Sequence, residues 1–145
     1  MAVALPNNCM DDPMRLESEN RPTIEHATDR QVRATIKALR SYGPSSFASL
    51  TAADGSYLQV AGGGITCMLE WRDQGSARHY RAHGKEPKRI HPDGTILAFG
   101  RGQEVRLQSD EWLTADTVAD ALCSFLVGKA LPENLGWRDI TDMLR

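Results

Sequence analysis

Apolar and polar residues alternate most regularly in the middle of the chain. In "SFASLTAADGSYLQVAGG" (46–63), Ala48 and Leu50 fall on one face of an extended segment, and Leu58 and Val60 do the same in the next. Successive strand side chains point to opposite sides, so a period of two predicts two half-buried strands. Asp54-Gly55 supplies the reversal between them, because tight hairpin turns need a positive φ that glycine adopts freely. "ITCMLEWRD" (65–73) predicts a third strand, with Cys67, Leu69 and Trp71 on one face and Met68, Glu70 and Arg72 on the other. "SARHYRAH" (76–83) predicts a fourth, entered through Gln74-Gly75. "TILAFG" and "EVRLQ" predict two more, joined by "RGQ", with Val105 and Leu107 inward and Glu104, Arg106 and Gln108 outward.

Two segments have helical spacing instead. In "ATDRQVRATIKALRSYG" (27–43), Val32, Ile36 and Leu39 recur at steps of four and three. Thr28 or Asp29 caps this helix, and Gly43-Pro44 stops it. In "LTADTVADALCSFLVGKALP" (113–132), Thr114 is the cap and Asp116 suits the N-terminal dipole. Val118, Leu122, Phe125 and Leu126 form its apolar stripe, and Trp112 before the cap is placed to staple the helix entry. "LGWRDITDMLR" closes the chain as a short helix or turn anchored by Trp137, Ile140 and Leu144. Patchy alternation in 14–27 marks a first strand around Thr23 to His26, and residues 1–22 read as a loose N-terminal segment before a single domain, 23–145.

The order is helix, several strands joined by short turns, then helix. Neighbouring strands should therefore be antiparallel, and each helix needs a surface for its one apolar stripe. The expected architecture is α+β, an antiparallel sheet of about five or six strands with two main helices packed on one face. A length of 145 residues fits that one domain.

Composition narrows the function classes. The formal net charge is −2, which provides no general attraction to nucleic acid or to an anionic membrane. No apolar run approaches the roughly 20 residues that span a bilayer. The start, "MAVALPNNCM", lacks the positive n-region and full h-region of a signal peptide. Cys9, Cys67 and Cys123 are scattered and odd in number, as in a cytoplasmic protein with reduced thiols; Cys67 and Cys123 lie within apolar patterns and read as core residues.

Chemical motifs are sparse. Gly62, Gly63 and Gly64 follow a strand as a phosphate loop would, but a strand rather than a helix comes next and no Lys-Ser/Thr pair follows. They read as the end of a strand where the chain reverses. His79, Arg81 and His83 share one face of a strand, with Glu70 and Arg72 opposite. The arginine within that row opposes a cation, so no metal site and no cofactor is expected. Residues 72–91 carry Arg72, Arg78, Arg81, Lys85, Lys88 and Arg89, a basic patch with Tyr80 as its one aromatic partner. No GxSxG or other nucleophile signature occurs, so no catalytic residue is assigned.

The layout "F-x-S-L-T-A-A-D-G-S-Y-L-Q-V-A-G-G", then "L-E-W-R" and "H-Y-R-A", then "L-T-A-D-T-V-A-D-A-L-C-S-F-L-V-G" and "L-P-x-x-L-G-W-R-D-I", resembles small bacterial immunity proteins, in particular the first-described immunity family of polymorphic toxin systems. The likeness spans about residues 23–143. It implies an α+β protein without catalysis of its own that binds a cognate toxin domain and occludes it. The sheet face left free by the helices would then be the partner surface, with Tyr57, Gln59, Met68, Glu70, Arg72, His79 and Arg81. Two other readings stay open: a small-ligand-binding or enzymatic domain using His79, Arg81 and His83, and a weak nucleic-acid-binding module. A homodimer through an exposed edge strand also stays open.

Overall fold

The computed structural model describes residues 13–85 and 91–144. The chain is α+β; the described residues form six strands in one antiparallel sheet, a separate two-stranded ribbon and two α-helices. The strands are β1 (Arg15–Ser18), β2 (Phe47–Thr51), β3 (Tyr57–Gly63), β4 (Thr66–Asp73), β5 (Arg78–His83), β6 (Thr95–Phe99), β7 (Gln103–Leu107) and β8 (Gly136–Asp139). Helix α1 (Asp29–Ala38) follows β1, and α2 (Ala115–Leu126) follows β7. The sheet order is β1-β2-β3-β4-β5-β8, each neighbour antiparallel.

Both helices form where the spacing places them. Thr28 accepts from the Gln31 N–H while the Gln31 side chain accepts from the Thr28 N–H, a reciprocal capping box. Thr114 accepts from the Thr117 N–H at the start of α2. Val32, Ile36 and Leu39 of the α1 stripe share one core with Val118, Leu122 and Phe125 of α2 and with Leu50, Leu58, Val60, Leu69 and Trp71 of the sheet. Cys67 and Cys123 belong to it too, and burial pushes the Cys67 thiol up to about 12. Trp71 stacks on Tyr80 with ring centroids 5.0 Å apart and meets Trp137 edge-on at 5.7 Å.

The glycine triplet ends β3, and packing explains two of its members. A Cβ on Gly62, at φ +89°, would meet the Thr66 carbonyl oxygen, and a Cβ on Gly63 would meet the Leu39 carbonyl at the end of α1. The Asp54-Gly55 reversal is also present; Ser56 N–H donates to the Asp54 carboxylate at 2.8 Å.

Four expectations are corrected. The first strand lies at Arg15–Ser18, not at Thr23–His26, so residues 15–18 of the supposedly loose segment belong to the sheet. Ile24 makes only a bridge to Leu16 along the outer edge of β1. Gly136–Asp139 is a strand rather than a helix or turn; pairing with β5 decides it, and only Thr141–Leu144 forms a 3₁₀ turn. The ribbon β6–β7 stands apart from the main sheet and lies on the face away from the helices. Leu97 and Leu107 there close a second cluster over Ala61 and Met68. Trp112 packs in that cluster, stacked on His91 at 4.3 Å, instead of stapling α2. Cys9, Lys88 and Arg89 lie outside the described residues, as does the side chain of Leu144.

Candidate functional site

Register builds the site. Glu17 pairs with Ser49, Ser49 with Gln59, Gln59 with Glu70, Glu70 with Arg81 and Arg81 with Arg138. Directly paired residues share a face, so these six form one polar row across all six strands, on the face opposite the helices. A neighbouring row holds Arg15, Thr51, Tyr57, Arg72 and His79.

Glu70 is the centre of the first row. Its Oε2 accepts from Arg81 Nε at 3.0 Å and Nη2 at 2.9 Å. Its Oε1 accepts from His79 Nε2 at 3.0 Å and from Gln59 Nε2 at 3.0 Å. The carboxylate can only accept, so His79 donates from Nε2. Burial pushes the Glu70 carboxyl up, but the hydrogen bonds and charges of His79 and Arg81 outweigh it and hold it below its ordinary value.

The network continues into the 3₁₀ turn Ser109–Glu111. Glu111, 1% exposed, lies 3.6 Å from Arg81 Nη1 and accepts from Arg138 Nη1 at 2.7 Å and from the Gln108 N–H at 2.6 Å. Arg138 also reaches Asp110 at 3.1 Å, which, with Glu111, favours its charged form. His83 Nδ1 donates to the Gly84 carbonyl at 2.9 Å and lies 3.8 Å from Asp110. Removing two charges from water is costly unless each is paired and hydrogen-bonded, and here they are.

The expected partner face is therefore only partly open. Met68, Glu70, His79 and Arg81 are buried, whereas Tyr57, Gln59 and Arg72 remain half-buried at its edge. The residues from β6 to Glu111 supply part of the cover, over Met68 and Arg81. His79, Arg81 and His83 do share a face opposite Glu70 and Arg72, yet His79 and Arg81 are spent on Glu70 rather than presented outward. Asp110, Glu111 and Arg138 escaped the sequence reading. "SDEW" and "GWRD" carry no local signal, because their meeting depends on which strand pairs with β5.

Beside the polar row lies a groove of about 250 Å³ between the sheet and the ribbon. Ala61, Met68 and Gln59 line it, together with Phe47 and Phe99, whose rings meet edge-on at 6.3 Å. A hollow of about 420 Å³ adjoins it, sharing Phe99 and Gln103 and reaching Tyr42, which is 86% exposed. Among the described residues no group of three metal-ligating side chains converges, and no helix is long and apolar enough to cross a membrane. Comparison with protein-family models, curated proteins and solved structures finds no match to this chain.

Proposed function

We propose that the chain is a bacterial, cytoplasmic immunity protein that neutralises a cognate toxin by binding and occluding its active domain, with no catalysis of its own. The observation that carries this reading is the accessible edge of the polar face. Gln59 lines the Phe47–Phe99 groove, which runs on to Tyr42, and the register pair Tyr57 and Arg72 lies on the same face one row further along. Tyrosine and arginine near an apolar groove are residue types enriched at protein interfaces, where a few anchors carry most of the energy. The buried Glu70 network holds the Gln59 side chain in one orientation before any partner arrives, which lowers the ordering cost of binding. The resemblance of the strand and helix motifs to immunity proteins names the kind of partner.

The test is co-expression with the toxin domain encoded beside the chain, followed by affinity capture and a growth assay. The expected result is a stable complex and rescued growth. The double variant Tyr57→Ala/Arg72→Glu should lose about tenfold or more in affinity while keeping the parent's fold by circular dichroism. No complex, or a variant that binds as tightly as the parent, would overturn the reading.

A further inference from the structure

The polarity of the Phe47–Phe99 groove is set from beneath it. Gln59 lines the groove and gives its Nε2 to Glu70 Oε1 at 3.0 Å. An amide turned the other way would oppose its carbonyl oxygen to a carboxylate that only accepts. His79 and Arg81, both bonded to Glu70, keep that carboxylate charged. The Gln59 Oε1 is thus the end left for a ligand, and no described residue donates to it. Ala61 and Met68 make an apolar floor, the Phe47 and Phe99 rings make the wall, and Ser49 and Gln103 add polar groups to the lining.

These properties select an occupant. At about 250 Å³ the groove is smaller than most small-molecule sites, roughly 300–1,000 Å³, and is sized for one large side chain. That side chain must be aromatic to use the wall, carry a donor for Gln59 at one edge of its ring, and be large enough to fill the groove. Phenylalanine has no donor. Tyrosine and histidine can donate but are smaller than indole and fill less of the groove, asparagine and glutamine have no ring, and lysine and arginine bring a charge. Indole donates from Nε1 and accepts nowhere. We propose that the groove is a receptor pocket for a tryptophan side chain of a protein partner, its ring against Phe47 and Phe99 and its N–H on the Gln59 carbonyl. That the tryptophan belongs to a toxin rests on the proposed function; the pocket itself does not.

The test uses the isolated full chain, ¹⁵N-labelled, titrated with indole and separately with benzofuran, a near-isostere without the N–H. Saturable shifts are expected at the amides of Phe47, Gln59, Ala61, Phe99 and Gln103. Indole should bind roughly two- to tenfold tighter, the range of one neutral hydrogen bond. In Gln59→Leu the two ligands should bind alike, and Phe99→Ala should weaken both. Absence of saturable shifts, shifts centred elsewhere, or equal affinity for the two ligands in the unmodified chain would overturn the pocket. The parent comparison decides the matter even where a variant fails to fold. A chain that binds indole here but no toxin keeps the pocket and loses the proposed function; the reverse result does the opposite.

Discussion

At Gly63 a single methyl group has nowhere to go. Its Cβ would run into the carbonyl group of Leu39 and the backbone nitrogen of Arg40, and neither is the tip of a flexible side chain. The next residue, Gly64, is different: a Cβ there meets nothing within 4 Å, and only the positive φ of +63° disfavours a side chain. Asparagine tolerates that conformation better than most residues. Gly63→Ala should therefore cost about 3 kcal/mol or more, the upper range of overpacking, and Gly64→Asn about 1 kcal/mol or less. Urea unfolding of both variants checks this, and equal losses would contradict the packing account. The sequence shows three adjacent glycines after a strand and so locates the reversal. It does not distinguish the glycine that shapes a turn from the one that admits a helix end, because the helix end arrives from twenty-four residues earlier.

At the scale of elements, strand existence is legible and strand placement is not. "TILAF" and "EVRLQ" alternate, and both are strands. Alternation says which residues share a face, not which face of which sheet they cover. The ribbon's apolar residues, Leu97 and Leu107, dock on Ala61 and Met68, so part of the second face of the main sheet is capped. The same ambiguity misleads at the end of the chain. Trp137, Ile140 and Leu144 have steps of three and four, which suit a helix, but β5 offers free backbone groups and residues 136–139 take them. If the ribbon is held mainly by its own small cluster, loosening it should spare the main core. Leu107→Ala, at a fully buried position, should cost about 2–5 kcal/mol. Native-state hydrogen exchange should quicken first across 95–107, with β3 and β4 still protected. Uniform acceleration would show that the two clusters unfold as one.

Across the whole molecule the two faces of the sheet are held by different forces: apolar packing under the helices, and paired charges under part of the other face. The alternation in β4 and β5 made it possible to place Glu70, Arg72, His79 and Arg81 together. The burial of Glu70, His79 and Arg81 was illegible, because Glu111, itself paired with Arg138, reaches Arg81 from a turn remote in sequence. That buried charge makes stability depend on pH with a definite sign. The Glu70 carboxyl is held below its ordinary value of 4.5 by His79 and Arg81, despite burial acting the other way. Hydrogen bonds to Ser109 lower Asp93, and those to Thr141 lower Asp139, in the same direction. Between the lowered folded values and the unfolded ones the unfolded chain binds more protons, so stability rises with pH there. The contribution of Glu70 is complete above about 4.5 and is lost as pH falls through its lower folded value. Urea midpoints measured from pH 7 to 2.5 should be level at first and then decline from about pH 4.5. In Glu70→Gln, Arg81 loses the nearer of its two carboxylates, with Glu111 left at 3.6 Å, and the variant should be about 3 kcal/mol less stable at pH 7. Having no carboxyl to protonate, it should decline less steeply in acid, and the two curves should converge. Parallel curves would mean that Glu70 does not enter folding as a paired carboxylate.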